Sequence, residues 1–277
     1  SKAAGFAGLI LILVVALGGQ GAVWAPLVAI LAALTMTVGN LLAMRQRHAV
    51  RLLAWSSVAQ SGYILAPLGA RNDEALNASI AYLVFYAAMN LGAFAVVTLV
   101  SRRSGSGELD DYRGLAFRSP AAGLALAFFL ICLAGLPPGL AGLFAKIVVF
   151  RELLGGGGGW LAAVMAVNTV VGLYYYVAWV VRVFTPTPTP TPAAGSAVAG
   201  GAVTGSALPG SVVTGSVVTG DAVTGDAVTR GEETGGRATG WIPASVAIAV
   251  AGIVAVAFSV APQLVLDLVP AGLIAAG

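Results

Sequence analysis

The sequence predicts an all-α membrane protein, a polytopic bundle of about seven transmembrane helices with one helix broken near residues 135–142. Three observations carry this. The chain of 277 residues is 58% hydrophobic and 9% charged, where soluble domains carry roughly a quarter charged residues. Its apolar residues gather into continuous runs long enough to cross hydrocarbon, for which about 20 residues suffice. One of those runs is interrupted by two adjacent prolines, Pro137 and Pro138.

The runs cover 1–17, 24–44, 52–68, 78–100, 121–154, 160–184 and 242–269. They are continuously apolar, whereas the strands of a membrane barrel alternate over about ten residues, so sheets are excluded in favour of helices. The opening residue is Ser1 rather than Met, and 1–17 has neither the basic start nor the small-residue cleavage site of a signal peptide. This predicts a chain that continues upstream.

Arginine sets the expected orientation, because cytoplasmic loops are enriched in basic residues. The loops after the second, fourth and sixth runs hold Arg45, Arg47 and Arg51, then Arg102, Arg103, Arg113 and Arg118, then Arg182, Arg230 and Arg237. The opposite loops hold Arg71 and Arg151. The pattern places Ser1 on the cytoplasmic side and Gly277 outside.

Three regions follow: 1–184 with six of the helices, 185–240 as a loop, and 241–277 with the last helix. The loop opens on a Thr-Pro tract and continues as SVVTG, SVVTG, DAVTG, DAVTR from Ser211 to Arg230. So little apolar surface cannot offset the entropy of ordering, which predicts a disordered cytoplasmic segment. A short β-solenoid is the alternative, with valine as its thin core.

The net charge of +3 does not signal nucleic acid, since the basic residues scatter over short loops without interleaved aromatics. The single cysteine, Cys132, excludes an intrachain disulfide and a multi-cysteine metal site, and reads as a small core residue. His48 has no partner ligands at metal spacing and reads as a solvated loop residue.

Candidate chemistry concentrates at Lys146. Of two lysines and twelve arginines, every arginine falls in or beside a loop, while Lys146 lies within LAGLFAKIVVF. An ionisable group at such depth usually faces a cavity or an ion path. An ammonium can release its proton when desolvated, which a guanidinium effectively never does. The alternative is that Lys146 snorkels toward the helix end near Arg151.

Upstream, Gly135, Pro137, Pro138 and Gly139 stand in LAGLPPGLAGLF. Two prolines remove two backbone donors and break the helix; in transporters such breaks mark ion sites. A plain kink is the bland reading. In the third run, Ser57, Gln60 and Ser61 recur at helical spacing and share a face that could hold water, with Gln60 the favoured member; ordinary packing suits Ser56, Ser61 and Asn90 as well. Lys2, at the cytoplasmic edge, reads as an interfacial anchor.

The segments GNLLAMRQRHAVRLLAWSSVAQSGYIL, LGAFAVVTLVS, YRGLAFRSP, LAGLPPGLAGLFAK and GLYYYV, in this order, resemble the antiporter-like membrane subunits of type I NADH:quinone oxidoreductase. The opening SKAAGF favours the N branch of these subunits over the M and L branches. The resemblance covers nearly everything outside 185–240. It implies a fourteen-helix protein with two inverted five-helix repeats, of which this chain holds helices eight to fourteen. It further implies that Lys2 and Lys146 match a lysine pair on a hydrated proton path in the bacterial inner membrane.

The same resemblance implies no cofactor, redox centre or metal in this chain. NAD, FMN, iron–sulfur clusters and quinone would belong to partner subunits, and the partners would be other membrane subunits and the lipid bilayer. Two positions depart from the family pattern: Val50 stands where a lysine is frequent and Gln60 where a histidine is, so the middle of the path would depend on water. Arg51 keeps the motif's arginine. A multisubunit cation/proton antiporter and a structural membrane subunit are the alternative functions.

Overall fold

In the computed structural model, residues 2–70, 73–104, 106–186, 241–263 and 265 are described. Nine α-helices are seen among them: α1 (Lys2–Leu11), α2 (Gly21–Met44), α3 (Ala49–Leu65), α4 (Asp73–Ser104), α5 (Leu115–Arg118), α6 (Pro120–Ala134), α7 (Leu140–Gly155), α8 (Gly159–Phe184) and α9 (Trp241–Val260). Short π or 3-10 turns cover Ile12–Ala16, Gly18–Gln20, Ala66–Ala70 and Leu109–Tyr112. The fold is all-α, as expected.

Three described helices are long and apolar enough to cross a membrane: Gly18–Met44, Glu74–Arg102 and Gly159–Phe184. The run 121–154 divides into α6 and α7. The third run gives α3, only 17 residues long before a 3-10 turn takes over. Of the segment 185–240, all but Thr185 and Pro186 lies outside the described residues, as does most of the chain after α9.

α4 runs through the middle, packed on α3, α6, α7 and α9, while α2 lies on α3 and α8 covers α2 and α6. Between helices in hydrocarbon, close van der Waals packing replaces the release of water, so interfaces favour small residues. α2 and α3 show this: a Cβ on Gly39 would lie 2.5 Å from the Ala59 nitrogen, and one on Gly62 would lie 2.7 Å from the Ala32 carbonyl. The opposite face of α2 presents Leu27, Ile30, Leu34, Val38 and Leu41 outward, the apolar exterior that a membrane helix requires.

Described segments that carry arginines pack against one another, while Arg71, Arg230 and Arg237 lie outside the described residues. Leu109 N–H donates to the Arg47 carbonyl (2.8 Å), Ala49 N–H to that of Gly107 (3.0 Å), and Gly114 N–H to that of Arg182 (3.3 Å), so the loop after α2, the described part of the loop after α4 and the end of α8 meet at one end of the bundle. The exposed ion pairs there, Arg113–Asp110 at 3.2 Å and Arg182–Asp110 at 4.0 Å, add little beside these backbone bonds. Tyr112 plugs this end, edge-on to Trp179 with ring centroids 5.4 Å apart, and burial pushes its phenol above the ordinary value. At the other end, Gly156 packs directly against Ala70.

Candidate functional site at the helix break

The break follows from local chemistry. Gly135 adopts φ 83°, a left-handed conformation that favours glycine, and closes α6. Its N–H donates to the Cys132 carbonyl (3.0 Å) and that of Leu136 to the Ile131 carbonyl (3.1 Å), the paired bonds of a Schellman ending. Pro137 and Pro138, joined by a cis peptide bond, then carry the chain across without offering a donor.

Of the last four carbonyls of α6, two are used by that ending, and Leu133 and Ala134 remain. Lys146 answers both: its Nζ donates to Ala134 O at 2.7 Å and to Leu133 O at 3.1 Å. A helix C-terminus carries partial negative charge, so this arrangement favours a cation. Lys146 is 8% exposed, and its ammonium turns back toward α6 rather than along its own helix to the interface. The snorkelling alternative does not hold: the amine is buried and bound by the two carbonyls at the end of α6.

Two glycines set this distance. A Cβ on Gly142 would lie 1.7 Å from the Cys132 carbonyl oxygen, so only glycine lets α7 pass so close to the end of α6. A Cβ on Gly135 would stand 3.2 Å from Lys146 Nζ. On its other side the ammonium is 5.9 Å from the centroid of the Tyr63 ring, within cation–π range. A largely apolar groove of about 580 Å³ between α7 and α8 reaches the site, lined by Gly135, Leu143, Lys146, Phe150, Arg151 and Thr169 among others.

From Tyr63 a polar network spreads across four helices. The Tyr63 hydroxyl accepts from Asn40 Nδ2 (3.4 Å), which also donates to Asn168 Oδ1 (3.1 Å), and Tyr175 donates to Asn40 Oδ1 (3.0 Å). The rings of Tyr175 and Tyr176 are 4.5 Å apart. Tyr176 shares a 2.7 Å bond with Ser56 and accepts from Gln60 Nε2 at 3.5 Å, while Tyr82 donates to Gln60 Oε1 at 2.5 Å. Gln60 is thus buried at the junction of α3, α4 and α8.

The other predicted residues fall differently. Ser57 donates to Asn90 Oδ1 at 3.4 Å, but Ser61 donates to the Ser57 carbonyl of its own helix (2.9 Å), an ordinary back-bond. Lys2 opens α1, and its side chain lies outside the described residues. Val50 and Arg51 are exposed at the start of α3, and His48 is half-buried there, bridged through its backbone to Glu108. Asn40, Asn168, Tyr82, Tyr175 and Tyr176 were missed; an asparagine within an apolar run was the available signal for the first two, since its amide must find partners in the bundle.

An interrupted helix whose ends meet a buried lysine, inside a bundle with an apolar exterior, defines an antiporter-like helical membrane protein. The chain matches the family described as NADH:quinone oxidoreductase/Mrp antiporter, transmembrane, over residues 1–172, and it belongs to that family. It is a multi-pass membrane protein, in bacteria of the inner membrane.

It is 52% identical over 206 residues to NADH-quinone oxidoreductase subunit N 2 of Streptomyces griseus subsp. griseus, covering 72% of this chain and 39% of that protein. It is 57% identical over 159 residues to NADH-quinone oxidoreductase subunit N of Salinispora tropica, covering 53% and 31%. The chain thus spans well under half the length of these relatives. Among solved structures it resembles a chain of the Mrp complex from Dietzia sp. DQ12-45-1b (TM-score 0.71, 25% identity, 95% of this chain and 49% of that one). It also resembles a chain of respiratory complex I from Thermus thermophilus (TM-score 0.58, 28% identity, 89% and 46%).

Proposed function

We propose that this chain is part of a proton-translocating membrane subunit of an NADH:quinone oxidoreductase, the N type, and that Lys146 takes up and releases the proton. The observation that carries this is the grip of Lys146 Nζ on the two unused carbonyls at the end of α6. The carbonyls attract the ammonium and have far less hold on a neutral amine, so proton release would loosen the tie between α7 and α6. Charge and helix position are then coupled at one atom.

In this reading Lys2 passes or receives the proton, as its match to the family's helix-eight lysine suggests. Gln60 with Ser57 and Ser61 would support the path by orienting water, since a carboxamide does not titrate. Redox energy would come from quinone reduction in partner subunits that bind NAD, FMN, iron–sulfur clusters and quinone, and this chain would hold no redox centre. The segment 185–240 would be a loop on the arginine-rich side.

The test is Lys146→Ala in the complete enzyme in membrane vesicles, read as protons moved per NADH oxidised. A lower ratio is expected; an unchanged ratio rejects the role. A second reading, a subunit of a multisubunit cation/proton antiporter, is favoured by the higher TM-score to the Mrp complex chain. Sodium-dependent proton exchange without NADH oxidation would support it, and copurification with flavin and iron–sulfur proteins would reject it.

A further inference from the structure

The start of α7 poses a problem that the sequence around it cannot solve. The first N–H groups of any helix lack intrahelical partners, and a Ser, Thr, Asp or Asn at the N-cap usually satisfies one of them. Here the N-cap is Gly139 and no side chain of its own segment caps the helix. Nor could one: a Cβ at Gly139 would lie 2.6 Å from the Cys132 nitrogen and Cα. The residues before it are prolines, with no polar group on their side chains.

The missing partner comes from another helix. Ser259 of α9 accepts from the Ala141 N–H at 3.1 Å and donates its own proton to the Ala255 carbonyl at 2.8 Å, so both capacities of the hydroxyl are directed. Ser259 is buried, at 7% exposure. It extends a stripe of small residues, Ala251, Ala255 and Ser259, spaced by four along the inward face of α9, while Val246, Val250, Ile253 and Val260 point outward. Phe258, edge-on to Phe85 of α4 with centroids 5.3 Å apart, fixes the rotation of this part of α9.

We propose that Ser259 is a positioning residue for Lys146: it caps the start of α7 from outside and so fixes the distance at which Lys146 meets the carbonyls of Leu133 and Ala134. α7 is then anchored twice near the break, at Ala141 by a hydroxyl that cannot change charge and at Lys146 by an ammonium that can. Only the second tie responds to the proton. If the first were lost, the bare Ala141 N–H would draw water into the break, offering the amine a route to exchange its proton without work. α9 lies beyond the 172 residues over which the family is matched, so this role belongs to the chain's last described helix.

The inference rests on the proton-carrying role of Lys146, and the experiment separates the two. Ser259→Ala and Ser259→Thr are made in the full-length protein within its membrane complex, beside Lys146→Ala. Amide hydrogen exchange is followed over the stretch 138–145, and protons per NADH are measured together with the rate of NADH oxidation. In Ser259→Ala, exchange at Ala141 is expected to rise about three- to tenfold, the factor that corresponds to losing one hydrogen bond. Protons per NADH are expected to fall while NADH oxidation holds, and Ser259→Thr, which keeps the hydroxyl, restores both.

Unchanged exchange in Ser259→Ala overturns the cap. Faster exchange with an unchanged proton ratio, in a background where Lys146→Ala lowers that ratio, overturns the coupling and leaves the proposed function standing. An unchanged ratio in Lys146→Ala removes the function itself, while the exchange result still decides the cap.

Discussion

The two polar regions inside this bundle are built on different plans. At the break, one titratable group meets backbone acceptors, with Lys146 facing the carbonyls of Leu133 and Ala134. Around Gln60, amides and hydroxyls satisfy one another across α2, α3, α4 and α8, and none of them changes charge readily. The first region can respond to a proton. The second holds the helices in register, because each member loses its partners if a helix slides.

The largest effect expected from this contrast is at Lys146. Lys146→Arg keeps the positive charge but cannot release a proton, so it should fail to restore the protons per NADH lost in Lys146→Ala; full restoration would reduce Lys146 to a fixed counter-charge. Next comes Gly142→Ala, whose Cβ would stand 1.7 Å from the Cys132 oxygen. Forcing α7 away from α6 should cost about 3 kcal/mol, seen as a lower unfolding temperature of the full-length protein in detergent.

Gln60→Leu probes the other region. It leaves the Tyr82 hydroxyl without its 2.5 Å acceptor, for an expected loss of about 1–3 kcal/mol in the same measurement. Its effect on protons per NADH should be smaller than that of Lys146→Ala, and an equal effect would erase the distinction between the two regions. The mildest change is Asn168→Ala, which removes one member of the amide pair between α2 and α8. Polar contacts in membranes average about 0.6 kcal/mol, so a shift of that order is expected.

How much of this was legible beforehand follows the same division. The break could be read because it is written locally: Gly135, Pro137 and Pro138 act on their own backbone, and a lysine among Leu143, Phe144, Ile147 and Val148 stands out. The loops after α2 and α4 were legible for a similar reason, as breaks in the apolar runs that need no contact map. The network was legible only in part. Spacing placed Gln60 and Ser57 inside, yet it also put Ser61 on the shared face, where the structure shows a bond to its own helix. Which tyrosines complete Gln60 depends on how four helices pack, and no single run records that. The same holds for Ser259, unremarkable in an alanine-rich helix until α7 is seen beside it.

The acceptors that hold Lys146 are main-chain oxygens, and this has a consequence for descent. A side-chain partner can be lost by one substitution, but these two oxygens persist whatever residues occupy 133 and 134, for as long as α6 ends where it does. A descendant that lost the lysine would inherit an electronegative vacancy inside the helix bundle, to be filled by water or by a cation from elsewhere. Drift at this place is therefore asymmetric: the charge can be discarded in one step, whereas the demand for it can be removed only by remaking the backbone.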